Sequence, residues 1–124
     1  MRFDDYLMRA IEQLVQAVAR ILKRVEAGEH DEAKAELSDA YDTLLGGDRV
    51  FLGMVDAATL ANLLGSPAKT CLLAKLSLLE ARLLEARGDP RGAASLRTRA
   101  SELSALAREA DPKLACDLSE IEGS

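Results

Sequence analysis

An all-α fold is predicted by three features of the sequence. Ala and Leu supply 43 of the 124 residues, and both are strong helix formers. Residues that favour strands are scarce, with five Val, three Ile, two Phe, two Tyr and no Trp. Apolar residues recur three and four apart over long stretches, and these stretches are bounded by Gly, Ser-Pro and Asp-Pro. The predicted architecture is a set of antiparallel helical hairpins, five to seven helices in all, within a single domain spanning residues 1–124.

The first helix is expected from about Asp4 to Ala27. Phe3, Leu7, Ile11, Leu14, Val18, Ile21 and Val25 form one apolar stripe, and Met8, Val15, Ala19 and Leu22 form a second beside it. So wide an apolar face belongs to a helix that is central in its domain or shared with a partner. Gly28 suits the left-handed residue that ends a helix. The second helix then runs from about His30 to Leu45, closing a hairpin over about 4–45, and Gly46-Gly47 stops it. An apolar insert over 48–65 is expected to hold one or two brief helices, with Asp56 capping the second.

Ser66-Pro67 opens a helix to about Arg87. Its stripe is Leu72, Leu76, Leu79 and Leu83, flanked by Cys71, Leu73, Ala74, Leu78 and Leu84, so it too is expected to be central. Asp89-Pro90 opens a helix to Ala110 with a thinner stripe of Ala93, Leu96, Ala100, Leu103, Leu106 and Ala110. These two make a second hairpin over about 67–110. Asp111-Pro112 is expected to open a tail helix over 112–121. In each pair the Ser or Asp accepts a hydrogen bond from the new helix, and Pro occupies the first position, where its missing N–H had no helical partner.

The two hairpins repeat. Val25 to Ala33 aligns with Glu85 to Ala93 at an offset of 60 residues, and Ala40 then aligns with Ala100. Alanine at these places lets paired helices approach closely. In this pattern the chain resembles the tetratricopeptide family, whose hairpin carries Gly, then an acidic or polar residue, with Ala five after the Gly and another seven later. Gly28, Ala33 and Ala40 match, as do Gly88, Asp89, Ala93 and Ala100. The early aromatic of each family repeat is missing, with Ser77 in its place in the second unit, and the closing Pro arrives late, at Pro112. The chain is also similar to a small uncharacterised bacterial tetratricopeptide-like family. That likeness lies in Ile11-Glu12-Gln13-Leu14, Ile21-Leu22-Lys23-Arg24, Ala27-Gly28-Glu29 and the Leu44-Leu45-Gly46 turn. It implies the fold and no activity.

Composition narrows the function classes. The net charge is −5 and aromatics are 3% of the chain, which disfavours nucleic acid as a partner. No run of 18 apolar residues exists, so no membrane span is expected. Met1-Arg2-Phe3-Asp4-Asp5 turns acidic before any apolar block, unlike a signal peptide. A cytoplasmic location is therefore expected, and the Ala/Leu/Arg-heavy usage suits a bacterial protein. Cys71 and Cys116 fit a reducing compartment and are expected to pack as small apolar thiols; a bridge between them stays open.

No catalytic, cofactor-binding or metal-binding residue is assigned. Glu29-His30-Asp31-Glu32 is the only dense group of potential ligands, but successive helix residues point about 100° apart and cannot converge on one ion. It reads as a solvated helix start, where acids favour the dipole. His30 is the only histidine. No nucleophile turn, phosphate loop or dinucleotide fingerprint occurs. The chain is predicted not to be an enzyme and to use no cofactor.

The expected function is a protein–protein interaction or assembly module. Residues 28–66 carry a net charge of −6 and residues 67–110 a net of +3, an acidic hairpin beside a basic one. Val50, Phe51, Leu52, Met54 and Val55 are candidates for binding another protein, because Phe and Met suit adaptable interfaces. Leu7, Met8, Ile11, Val15, Val18 and Leu22 are the candidate face of a homodimer. The alternative is a sensor that binds an apolar small molecule or lipid between the first helix, the 67–87 helix and residues 50–55.

Overall fold

Local capping chemistry sets the helix boundaries. The computed structural model describes residues 3–46 and 55–122, without the side chains of Phe3, Asp4 and Leu7. These residues form α1 (Phe3–Glu26), α2 (His30–Leu45), α3 (Ala57–Leu64), α4 (Pro67–Ala86), α5 (Pro90–Ala110) and α6 (Ser119–Glu122). The Thr59 amide donates to Asp56 Oδ1 at 2.8 Å, the Lys69 amide to Ser66 Oγ at 3.4 Å and the Gly92 amide to Asp89 Oδ1 at 3.0 Å. Each cap serves the amide three residues on, as the sequence predicts. The first of the brief helices expected in the insert falls outside the described residues.

The tail departs from expectation. Asp111 Oδ1 accepts from the Lys113 amide at 3.1 Å, two residues on, which makes a local turn instead of a helix cap. Residues 111–118 are irregular, and helix begins only at Ser119, whose amide donates to Asp117 Oδ1 at 3.0 Å. The predicted 112–121 helix is thereby reduced to the four residues of α6.

The glycine turns of the two long hairpins share the same backbone bonds, although Asp89 caps its helix through its side chain and Glu29 does not. Gly28 and Gly88 both take left-handed backbone, at φ 79° and 87°. The Gly28 amide donates to the Val25 carbonyl at 3.1 Å and the Glu29 amide to the Arg24 carbonyl at 2.8 Å. The Gly88 amide donates to the Glu85 carbonyl at 3.1 Å and the Asp89 amide to the Leu84 carbonyl at 2.9 Å. This is the same pair of bonds that closes a helix on a left-handed glycine, at the same 60-residue offset. Ala33, Ala40, Ala93 and Ala100 are all buried.

Helix α1 packs on α2, and α4 packs on α5. Helix α4 also lies against both α1 and α2, while α3 rests on α4 and α5, and α6 on α4. Eleven of the 20 residues of α4 are buried, from Thr70 to Leu83 and on every face. A helix apolar all round is an interior helix. The main core joins Leu14, Val18, Ile21, Leu22 and Val25 of α1 to Leu37, Tyr41 and Leu44 of α2 and to Leu72, Leu76 and Leu79 of α4. Of the two helices expected to be central, α4 is enclosed and α1 keeps an open flank.

The cysteines are joined. Cys71 in the second turn of α4 and Cys116 in the tail form a disulfide, with Cα atoms 5.8 Å apart across 45 residues of sequence. Both are buried, as expected of small apolar residues, but they are not separate thiols. The irregular path after Asp111 brings residue 116 to α4.

Candidate assembly surface

Helix α1 carries the surface of interest. On a helix of 3.6 residues per turn, Met8, Val15 and Ala19 fall along one flank. Met8 is 60% and Val15 52% exposed, and Ala19 is exposed beside them. Ile11 is half-buried against the core. Val18 and Leu22 are only 8% and 7% exposed. Of the six predicted dimer-face residues, Met8 and Val15 therefore lie outside, Ile11 is at the edge, and Val18 and Leu22 belong to the chain's own core. The side chain of Leu7 lies outside the described residues.

Charge borders the flank. Asp5, Glu12, Lys23 and Glu26 are exposed along it, with Asp5 and Glu12 toward the start of α1 and Lys23 and Glu26 toward its end, where Glu26 lies 3.9 Å from Arg82 of α4. Tyr6, 66% exposed, lies on the opposite side of α1 from Met8, because two helical steps separate them by about 200°. Leu63, on α3, is the other large apolar side chain exposed among the described residues.

Val50, Phe51, Leu52 and Met54, the predicted partner-binding residues, lie outside the described residues. Val55 is described and is half-buried against the core, and its carbonyl accepts a hydrogen bond from Arg99. An arginine of α5 thus fixes the end of the insert just before α3.

Three features escaped sequence reasoning. Tyr41, fully buried on α2, donates its hydroxyl to Glu80 Oε1 on α4 at 2.7 Å, joining the two hairpins. A buried tyrosine signals the need for a polar partner but does not name it. Arg24 reaches from α1 to Glu36 of α2, Nε to Oε2 at 3.0 Å, and to Glu29 in the turn, Nη1 to Oε1 at 3.1 Å. Glu36 is the main cause of a raised Arg24 pKa, with Glu29 adding to it. The third is a cleft of about 330 Å³ between α2 and α4, lined by His30, Lys34, Leu37, Glu80, Leu83 and Arg87 among others.

Among the described residues, no three His, Cys, Asp or Glu side chains are grouped to hold a metal. No helix among them is long and apolar enough to cross a membrane. No protein-family model, curated protein or solved structure matches the chain.

Proposed function

We propose that this chain is a non-enzymatic assembly module, built of two tetratricopeptide-like hairpins, that forms a homodimer through α1. The observation that carries this reading is the open Met8–Val15–Ala19 flank, on a helix whose other apolar faces are used inside the chain. A second copy is the favoured occupant because Asp5 and Glu12 lie toward one end of the flank and Lys23 toward the other, Glu26 being paired with Arg82 of its own chain. Antiparallel pairing of two α1 helices sets Asp5 and Glu12 of one copy near Lys23 of the other, and makes the contact self-complementary about a two-fold axis. The tetratricopeptide-like reading is supported by the exact repetition of the glycine turn and by the lodging of α4 against both helices of the preceding hairpin. The proposed compartment is the bacterial cytoplasm, where the Cys71–Cys116 bridge would face reductants instead of the free thiols expected from sequence. Val50, Phe51, Leu52, Met54 and Val55 are the proposed contact for a different protein.

Capture of an untagged copy by a tagged one tests the α1 surface, with the insert as the control. Val15→Glu places a charge in the dimer flank and should abolish capture, whereas Leu52→Glu should leave it intact. Equal capture by wild type and Val15→Glu would refute the α1 interface.

A second reading, a small-ligand sensor, has the α2–α4 cleft in its favour, a different place from the expected pocket beside residues 50–55, of which 50–54 lie outside the described residues. Its Leu37 and Leu83 floor with Lys34, Arg87 and Glu80 at the rim suits a ligand with charged and apolar parts. Native mass spectrometry of protein purified from cells should then show a retained small molecule; a bare chain would count against it.

A further inference from the structure

The tail is held to the α4–α5 hairpin by one covalent bond and a few weak ones. Leu114 and Leu118 pack on the small cluster of Cys71, Ala107 and Cys116. Ser104 Oγ donates to the Cys116 carbonyl at 3.2 Å, and Arg82 Nη1 donates to the Ile121 carbonyl at 3.2 Å. Ile121 inserts into the main core. Residues 111–118 contribute no regular helix to this attachment. Segments with so few backbone and apolar contacts sit at the low end of local stability.

The bridge is approached from one side. An open depression of about 360 Å³ is lined by Ser101, Ser104, Arg108, Leu114, Cys116 and Asp117, while Cys71 does not line it. The depression borders Cys116, but Cys116 is only 3% and Cys71 only 6% exposed, so a reductant reaches the bridge when the tail opens locally, and from the Cys116 side. Lys75 lies one turn after Cys71 along the same face of α4. Arg108 lines the depression, and Asp117 is the acid that opposes these cations there. Asp117 itself is held below the ordinary carboxyl range, first by hydrogen bonds from Ser119, and also by Lys75 and Arg108.

We propose that Cys71–Cys116 is a site of thiol–disulfide exchange, that its substrate is a dithiol reductant, and that its reduction unlatches residues 111–122 while both hairpins stay folded. One thiolate of the reductant attacks Cys116 Sγ. The S–S bond breaks, and its electron pair leaves on Cys71. The second thiolate of the reductant then attacks the mixed disulfide at the reductant's own sulfur and releases Cys116. Two electrons pass from the reductant to the bridge, the reductant becomes a disulfide, and its two protons end on Cys71 and Cys116. The α4–α5 flank is covered in the oxidised chain and uncovered in the reduced one.

The test is amide hydrogen exchange of the full-length oxidised chain with and without dithiothreitol, followed by mass spectrometry. Reduction should speed exchange in residues 111–122 by about tenfold or more, leave α1, α2 and the interior of α4 protected, and reverse on re-oxidation. A Cys71→Ser/Cys116→Ser chain should show the fast tail in both conditions. Acceleration of the whole chain together would make the bridge a structural staple and overturn the proposal. So would an unchanged tail, or a bridge that opens only at the rate of global unfolding. Arg108→Met should slow reduction by about threefold through loss of the cation beside the attacked Cys116, which draws the reductant's thiolate; an unchanged rate would overturn the role given to that cation.

Discussion

Gly28 and Gly88 occupy open space, where a Cβ would meet no atom within 4 Å, so only the left-handed backbone resists a side chain there. Gly28→Ala and Gly88→Ala should each cost about 1 kcal/mol in urea unfolding, and nearly the same amount. Clearly different costs would mean that the turns are not equivalent. The alanines behave otherwise. Ala33 and Ala93 have no exposed surface, so Leu at either should overpack its hairpin and cost about 1–3 kcal/mol. These residues are legible in the sequence because a tight turn and a close helix approach are local requirements. The Tyr41–Glu80 bond is not legible, since it joins residues 39 apart and depends on how α2 crosses α4. Tyr41→Phe leaves Glu80 without that donor and should lower stability by about 1–2 kcal/mol in chemical denaturation.

At the scale of the element, Ser66-Pro67 and Asp89-Pro90 mark helix starts correctly, whereas Asp111-Pro112 does not. The dipeptide permits a helix, and the partner of its carboxylate decides whether one forms. Asp89 caps the amide three residues on, but Asp111 takes the amide two residues on and turns the chain. The cap of α3 also carries a pH signature. Hydrogen bonds from Thr59, aided by Arg99, hold the Asp56 carboxyl below its ordinary value of 3.8. Its contribution is therefore complete above that value and is lost as pH falls through the lower folded-state pKa. Helical content near α3 should decline in acid, as followed by amide exchange, and Asp56→Asn, which keeps the cap without the titration, should flatten that decline. A profile unchanged by Asp56→Asn would contradict the sign.

For the whole molecule, α4 is the axis. Leu79 has no exposed surface and belongs to the core that joins α1, α2 and α4, so Leu79→Ala should cost about 2–5 kcal/mol and lower the unfolding midpoint of both hairpins together. The apolar periodicity predicts that interior from sequence, and it predicts that α1 has more apolar surface than one neighbour needs. It does not say how the residues of the two α1 stripes divide between core and surface. Packing settles that, drawing Val18 and Leu22 inward and leaving Met8 and Val15 at the surface. The tail bridge is equally a product of tertiary path, for nothing near Cys71 names Cys116 as its partner. Multi-angle light scattering of the intact chain across the micromolar range tests the proposed assembly most directly. A mass twice the 13.3 kDa of the chain for wild type, falling to 13.3 kDa for Val15→Glu, is the expected result. A wild-type mass of 13.3 kDa throughout that range would contradict it.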